Sequence, residues 1–203
     1  MPNIGAIILA AGMSSRMGKP KLLLPFKGAP LIKYPYMLAQ QNALQPIVCV
    51  TGRYDEQITS VLAVEQNVTL HYNSHYESGM ASSLKAGIRA VTGKVDAVMI
   101  FLGDQPLVPN EVVQTIISQY RASEESTIKI VRPLFGQRLG HPILFDSSLF
   151  DEFEALQGDE GGKSIIQRHQ NAVKLLQFPN SDWGIDIDTE EEYLTLMKRT
   201  EDI

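Results

Sequence analysis

A continuous apolar run near the start of the chain restricts the fold more than any other feature of the sequence. Residues 4–9 read Ile-Gly-Ala-Ile-Ile-Leu, and the run ends at Ala10-Ala11-Gly12. A run without polar alternation is typical of a central parallel strand that is buried on both faces. Parallel strands need long connections, which are usually helical. The run therefore predicts an α/β protein.

Strand-like and helix-like segments alternate along the first 120 residues. We predict strands at 4–9, 47–51, 68–72 and 95–102, and helices at 31–43, 56–64, 79–91 and 109–120. This rhythm favours a single doubly wound, mostly parallel sheet of Rossmann-like type.

After about residue 126 the rhythm changes. Two short extended runs, 127–134 and 142–145, flank the segment 136–140, and we expect them to form a small β insertion against the sheet. Helices at 148–156 and 162–169, strands at 173–177 and 184–187, and a helix at 189–198 are then predicted. With no interdomain linker visible, residues 1–203 are predicted to form one domain.

Composition excludes several classes of protein. The single cysteine, Cys49, rules out an internal disulfide and a zinc site built from cysteines. No apolar run reaches the roughly 20 residues that a membrane span needs. The net charge of −5 argues against nucleic acid as a partner. We therefore expect a cytoplasmic protein that binds neither membrane nor nucleic acid.

The charges are distributed unevenly along the chain. All 23 acidic residues lie from Asp55 onward, whereas the first 54 residues carry six basic residues and no acidic one. Such an asymmetry indicates either an anion site near the start of the chain or a solvated basic face.

The loop after the first predicted strand favours the anion site. Residues 9–21 read L-A-A-G-M-S-S-R-M-G-K-P-K. Small residues let the backbone approach a ligand, and successive N–H groups form a concave anion site. Arg16, Lys19 and Lys21 add side-chain charge. The spacing matches neither the P-loop nor the dinucleotide fingerprint. A tight turn with incidental lysines is the structural alternative.

This loop, together with Pro25 and the segment Gly28-Ala29-Pro30-Leu31, resembles the signature of the nucleotidyltransferase superfamily. Within it, the chain most resembles the molybdenum cofactor cytidylyltransferases, which are related to the guanylyltransferases of the same cofactor. The resemblance covers essentially the whole chain and implies a nucleotidyltransferase fold, Mg²⁺ as cofactor, and CTP and molybdopterin cofactor as substrates. It leaves open a handover of the product to a molybdoenzyme or its chaperone.

The resemblance also implies roles for individual residues. Arg16 and Lys21 would neutralise the triphosphate and act in catalysis. Ala11 stands where guanylyl relatives usually have glycine, which favours cytidine. Ser83 lies in the S-x-x-x-G context of a pyrimidine contact, although serines in a first helical turn are also ordinary caps. The candidate nucleotide-binding residues are Leu9, Ala10, Ala11, Gly12, Ser14, Ser15, Asn73, Ser82 and Ser83.

Two carboxylates are candidate metal ligands. Asp104 follows a predicted buried strand, and a carboxylate at that end of a parallel strand points into the ligand crevice. Mg²⁺ at such sites is typically held by one or two carboxylates and phosphate oxygens. Asp188 aligns best with the second ligand of the family, and Asp186 is the reserve candidate, because alternation along a strand puts both on one face. Asp188 could instead cap the following helix.

The acceptor site is predicted from the second half of the chain. Glycine-rich loops at Gly140-His141-Pro142 and at residues 158–163 resemble the cofactor-modifying subfamily. Arg138, His141 and Lys163 are the candidate acceptor-binding residues, although a lone histidine is more often structural.

The predicted reaction is attack of the acceptor's terminal phosphate on the α-phosphorus of CTP, with loss of pyrophosphate. The phosphate is already anionic, so no dedicated general base is needed. Two alternatives stay open: a guanylyl- or sugar-phosphate nucleotidyltransferase, and a non-catalytic nucleotide- or cofactor-binding partner of molybdoenzymes.

Overall fold

The computed structural model describes residues 1–122 and 127–201, and these form ten strands. The strands are β1 (Ile4–Ala10), β2 (Pro25–Phe26), β3 (Ala29–Pro30), β4 (Ile47–Thr51), β5 (Val68–Tyr72), β6 (Ala97–Leu102), β7 (Ile130–Phe135), β8 (Arg138–Leu139), β9 (Ile143–Asp146) and β10 (Val173–Phe178). Eight of them form one sheet in the order β10-β7-β9-β6-β1-β4-β5, with β8 paired to β7.

Helices cover both faces of this sheet. They are α1 (Lys33–Gln41), α2 (Asp55–Leu62), α3 (Met80–Val91), α4 (Asn110–Arg121), α5 (Lys163–Arg168) and α6 (Glu190–Glu201), and the longest of the 3₁₀ segments is Ser147–Ala155. On β1, Ile8 joins the core cluster of α1, α2 and α4, whereas Ile7 joins the cluster of α3 and Ser147–Ala155. The alternation of strand side chains thus builds two cores, and the doubly wound fold is confirmed.

The strands of the main sheet are mostly parallel, and the exceptions are β9 and the short β8, which is antiparallel to β7. β1 pairs in parallel with β4 and β6, and β4 with β5. β9 runs antiparallel to both β6 and β7, and β7 is parallel to β10.

The expected β insertion against the sheet is corrected by the structure, because its two extended runs are β7 and β9 of the main sheet. The reason is burial on both faces. Val131 and Leu144 pack in one core cluster, and Ile130 and Ile143 in the other. Strands that are apolar on both faces need a layer on each side, which a position inside the sheet provides.

The strand predicted at 184–187 is wrong. A 3₁₀ turn spans Ser181–Gly184, and residues 185–188 have no regular structure. Trp183 packs edge-to-face on Phe135, and a Cβ on Gly184 would lie 2.5 Å from that ring. The N–H of Ile187 donates to the carbonyl of Asp104 at 3.2 Å. Packing on Phe135 therefore leads this segment across the end of β6 instead of along a sheet edge.

Cys49 is buried in β4, and burial, followed by the nearby carboxylate of Asp55, raises the pKa of its thiol to about 12. This agrees with its interpretation as a small core residue.

Within residues 1–122 and 127–201, the helices are too short or too polar to cross a membrane.

Candidate active site

A cavity of about 420 Å³ opens where β1 and β6 end side by side. Its wall is formed by the loop after β1, the start of α3, the residues after β6 and the segment before α6. We name it the first cavity, and it is lined by Leu9, Ala11, Gly12, Met13, Ser14, Arg16, Lys21, Leu22, Tyr76, Glu77, Gly79, Met80, Ser83, Leu102, Asp104, Asp159, Asp186 and Asp188. This is the carboxyl edge of the strands, where α/β sheets bind ligands.

Local turns hold the loop after β1 against the sheet. Ser14 adopts φ 50°, and its carbonyl accepts hydrogen bonds from the N–H groups of Met17 and Gly18. A Cβ at Gly52 would lie 2.8 Å from the carbonyl oxygen of Ala11, so the chain after β4 packs directly on the loop. Only glycine at position 52 permits such close packing. This packing keeps the loop after β1 at the cavity.

Lys21 joins the two predicted metal ligands. Its Nζ lies 2.5 Å from Oδ2 of Asp104 and 2.9 Å from Oδ1 of Asp188, and Nη2 of Arg16 lies 3.0 Å from Oδ2 of Asp188. Arg16 and Lys21 come from the loop after β1, whereas Asp104 and Asp188 come from distant positions in the chain. The structure thus brings the predicted catalytic cations and metal ligands into one charged cluster.

The charge of this cluster is set by its own contacts. Burial alone would lower the pKa of Lys21, but the carboxylates of Asp104 and Asp188 outweigh it and raise the pKa. Burial would raise the pKa of Asp188, but hydrogen bonds and charges from Lys21 and Arg16 lower it. Both groups are therefore ionised at neutral pH.

Asp186 lines the same cavity but has other partners. Gln105 Nε2 donates to its Oδ1 at 2.6 Å, and Arg138 Nη2 donates to its Oδ2 at 3.0 Å. Burial, followed by the charge of Asp104, raises the pKa of Asp186. Both of its oxygens are engaged away from Lys21, which favours Asp188 as the carboxylate that acts with Asp104.

The side chain of Thr189, rather than that of Asp188, caps the start of α6. The hydroxyl of Thr189 accepts from the N–H of Glu192 at 3.2 Å, and the Glu192 carboxylate accepts from the N–H of Thr189 at 2.8 Å. This reciprocal pair is a capping box at the start of α6. The side chain of Asp188 is consequently left for Lys21 and Arg16.

The predicted nucleotide-binding residues divide into two groups. Those lining the first cavity are Leu9, Ala11, Gly12, Ser14 and Ser83, and those that do not are Ala10, Ser15, Asn73 and Ser82. Asn73 and Ser82 border an open cavity of about 640 Å³ that lies partly along α3. Asn73 Nδ2 donates to the hydroxyls of Ser82 and Ser83 at 2.8 and 3.0 Å. Asn73 therefore orients the hydroxyl of Ser83 without lining the first cavity itself.

A second cavity of about 430 Å³ adjoins the first and shares Leu9, Met80 and Asp159 with it. We name it the second cavity. His141 and Lys163 line it, as the acceptor prediction requires. Arg138 does not line it, because its guanidinium pairs with Asp186.

Sequence reasoning missed two residues at these cavities. Arg132 lines the second cavity from β7. It is the lone charged residue in the apolar run of residues 130–135, and this pattern could have identified it as a candidate site residue. Asp159 accepts a hydrogen bond from the N–H of Met80 at 2.9 Å, which docks the glycine-rich loop on the start of α3. No local pattern predicts that long-range contact.

His141 is expected to make the fold sensitive to acid. Burial, and then the charge of Arg132, lower its pKa from 6.5 to about 3. Between pH 6.5 and about 3, this histidine binds a proton in the unfolded chain but not in the folded chain. The neutral histidine therefore contributes its full stability above the unfolded pKa, and this contribution is lost as the pH falls. Between pH 7 and pH 5, the free energy of unfolding should fall by about 1–2 kcal/mol more in the wild type than in His141→Gln.

Denaturant titrations at the two pH values measure this difference. His75→Gln, at an exposed histidine, is the matched control and should behave as the wild type. An equal acid sensitivity in His141→Gln and wild type would contradict the assignment.

The loop after β1, two cations and two carboxylates meet at the carboxyl edge of a doubly wound sheet, which is the arrangement expected of a nucleotidyltransferase. Residues 6–173 match the family described as the MobA-like NTP transferase domain, and the chain belongs to this family.

Relatives match the chain over nearly its full length. The chain is 28% identical to the purine catabolism protein PucB of Bacillus subtilis, covering 95% of each protein. It is 27% identical to the molybdenum cofactor cytidylyltransferase of Escherichia coli, covering 100% of each. The crystal structure of Rv0371c from Mycobacterium tuberculosis superimposes with a TM-score of 0.81 at 26% identity, covering 97% of each chain. The resemblance drawn from the loop is confirmed.

Proposed function

We propose that the protein transfers the cytidylyl group of CTP to the terminal phosphate of molybdopterin cofactor and releases pyrophosphate. The observation that carries the proposal is the cluster of Arg16, Lys21, Asp104 and Asp188 at the loop after β1, beside a second cavity of ligand size. The relative from Escherichia coli, whose name states this chemistry, supports the choice of substrates. Delivery of the product to a molybdoenzyme or its chaperone belongs to the same proposal.

The chain's own residues supply most of the mechanism. Backbone N–H groups of the loop and the side chains of Arg16 and Lys21 bind the triphosphate and offset the charge that develops on the departing pyrophosphate. The acceptor phosphate is held in line with the α-phosphorus from the side of the second cavity. Since that phosphate is already anionic, these residues need to align it rather than deprotonate it.

The donor set fits Mg²⁺. Asp104 and Asp188 both approach the ammonium group of Lys21, so their oxygens already converge on a point of positive charge. Among the described residues, no cluster of three or more His, Cys, Asp or Glu side chains is arranged for a metal. Two carboxylates suffice for Mg²⁺ when phosphate oxygens complete the shell. Bound there, the ion would neutralise charge on the phosphates.

The nucleotide preference is expected to depend on Ala11. Ala11 lines the first cavity and its side chain is buried, whereas Ala10 is buried without lining it. We expect the wild type to prefer CTP over GTP, and Ala11→Gly to weaken that preference by about 1–3 kcal/mol, since a methyl group is removed where a purine needs room. Competition among the four NTPs at equal concentration measures the ratio.

Ala10→Gly is the matched control and should keep the CTP preference. A wild-type enzyme that prefers GTP refutes the cytidylyl assignment.

The acceptor is tested in the same assay by supplying either molybdopterin cofactor or a sugar 1-phosphate and measuring pyrophosphate. Faster turnover of the sugar 1-phosphate would refute the acceptor and leave the nucleotidyltransferase intact. No pyrophosphate with any acceptor would favour a binding protein.

A further inference from the structure

One charged side chain of the second cavity has no counterion in the described part of the chain. Arg132 is half-buried, and its Nε donates to the carbonyl of Gly140 at 3.2 Å. Within residues 1–122 and 127–198, no carboxylate lies within ion-pair distance of it, whereas Arg16, Arg138 and Arg168 each pair with one. A guanidinium removed from water without a counterion costs free energy. A ligand oxygen in the cavity would offset that cost.

The rest of the second cavity combines an apolar wall with polar groups. Ile100, Ile143 and Phe145 form an apolar wall. Glycine backbone lines the cavity as well, and a Cβ on Gly162 would lie 3.1 Å from Cζ of Phe145. A planar heteroaromatic ring can pack on such a wall and satisfy polar groups only at its edge.

The charges around the cavity favour an electron-rich edge near Arg132. His141 beside it is neutral at physiological pH, so it adds no second cation there. Lys163, Asp159 and Glu160 belong to the glycine-rich loop, and all three side chains are exposed. A guanidinium presents a planar fork of donors, which matches a ring carbonyl next to a ring nitrogen.

We propose that Arg132 selects the acceptor by donating hydrogen bonds to the carbonyl and ring-nitrogen edge of a flat heterocycle in the second cavity. The acceptor's phosphate then reaches the first cavity past Leu9 and Met80, which line both. This rests on the proposed function for the reaction itself. It assigns acceptor recognition to Arg132 on β7, a residue that the sequence did not single out, in place of Arg138.

The direct test uses free pterin as a probe, because it carries the ring and no phosphate. Its intrinsic fluorescence reports binding to wild type, Arg132→Gln and Arg132→Lys in the presence of CTP. We expect Arg132→Gln to weaken pterin binding, and to raise the KM for molybdopterin cofactor, by about 10- to 100-fold, as for hydrogen bonds to a charged group. Arg132→Lys should be intermediate, because it keeps the charge but loses the fork.

Controls separate this loss from misfolding. The Kd for CTP, measured by calorimetry, should stay at the wild-type value in both variants. Arg168→Gln, at an arginine that pairs with Glu152 outside both cavities, should bind pterin as the wild type does. If one Arg132 variant loses CTP binding as well, its loss of pterin binding is attributed to misfolding. The other Arg132 variant then tests the role of Arg132 in pterin binding.

Failure of this inference is distinguishable from failure of the proposed reaction. Pterin that binds wild type and Arg132→Gln equally, or does not bind wild type at all, overturns the role of Arg132 even if CMP is transferred to the cofactor. Arg132-dependent pterin binding without any transfer from CTP supports the recognition site and refutes the reaction.

Discussion

Lys21→Ala is expected to lower kcat by about 10²- to 10³-fold, the size of the loss when one preorganised donor to a developing charge is removed. The Nζ of Lys21 lies at the centre of the first cavity's charges, and its side chain is only 12% exposed. A cation so screened from water interacts strongly with a phosphate. Its loss also leaves Asp104 and Asp188 facing each other without the ammonium between them. Steady-state kinetics with saturating CTP and acceptor measure the effect.

Lys19→Ala is the matched control for this prediction. Lys19 lies two residues away and pairs with Glu190, and its side chain is 40% exposed. Exposed ion pairs contribute little, so this variant should keep most of the wild-type rate. Thermal unfolding of both variants shows whether they fold. A folded Lys21→Ala enzyme that turns over at a near-wild-type rate would remove Lys21 from the catalytic machinery.

Asp104→Asn and Asp188→Asn are each expected to lower kcat/KM by about 10²-fold or more, because an amide keeps the shape of the carboxylate but loses the charge that attracts a divalent cation. The change can be followed as kcat/KM against Mg²⁺ concentration. Raised Mg²⁺ should partly rescue the variant whose carboxylate contributes less to the metal. The two effects should add poorly in the double variant, since both residues serve one site.

Asp186→Asn is the control that the cavity itself offers. Its carboxylate oxygens accept from Gln105 and Arg138, so the variant should lose less activity than the other two and show an unchanged dependence on Mg²⁺. If Asp186→Asn alone proves inactive, Asp186 is the metal ligand and the assignment of Asp188 is wrong. If all three variants retain the wild-type rate, the first cavity is not the catalytic centre.

Segments whose structure follows from local pattern were predicted closely. The continuous apolar runs correspond to β1, β4 and β6, and the amphipathic stripes to α3 and α4, with boundaries that differ by only a few residues. The loop after β1 was predicted to be an anion site because its small residues and cations are adjacent in sequence, and it lines the first cavity.

Features that depend on contacts between distant residues were not predicted. The place of β9 between β6 and β7 depends on side chains that meet only in the folded chain. The irregular path of residues 185–188 depends on Gly184 and Trp183 packing on Phe135. Alternation along a strand was therefore the wrong reason to group Asp186 with Asp188, although both line the first cavity.

The fold class, the family and the place of the loop after β1 at the ligand edge of the sheet follow from local sequence patterns, because each is encoded by side chains within short segments of the chain. The pairing of Asp188 with Lys21 depends on the tertiary structure, which also pairs Arg138 with Asp186 and places Arg132 at the second cavity. Those outcomes depend on charges and packing surfaces brought together from positions far apart in the chain. Hydrogen bonding and burial then select partners that spacing along the sequence cannot specify.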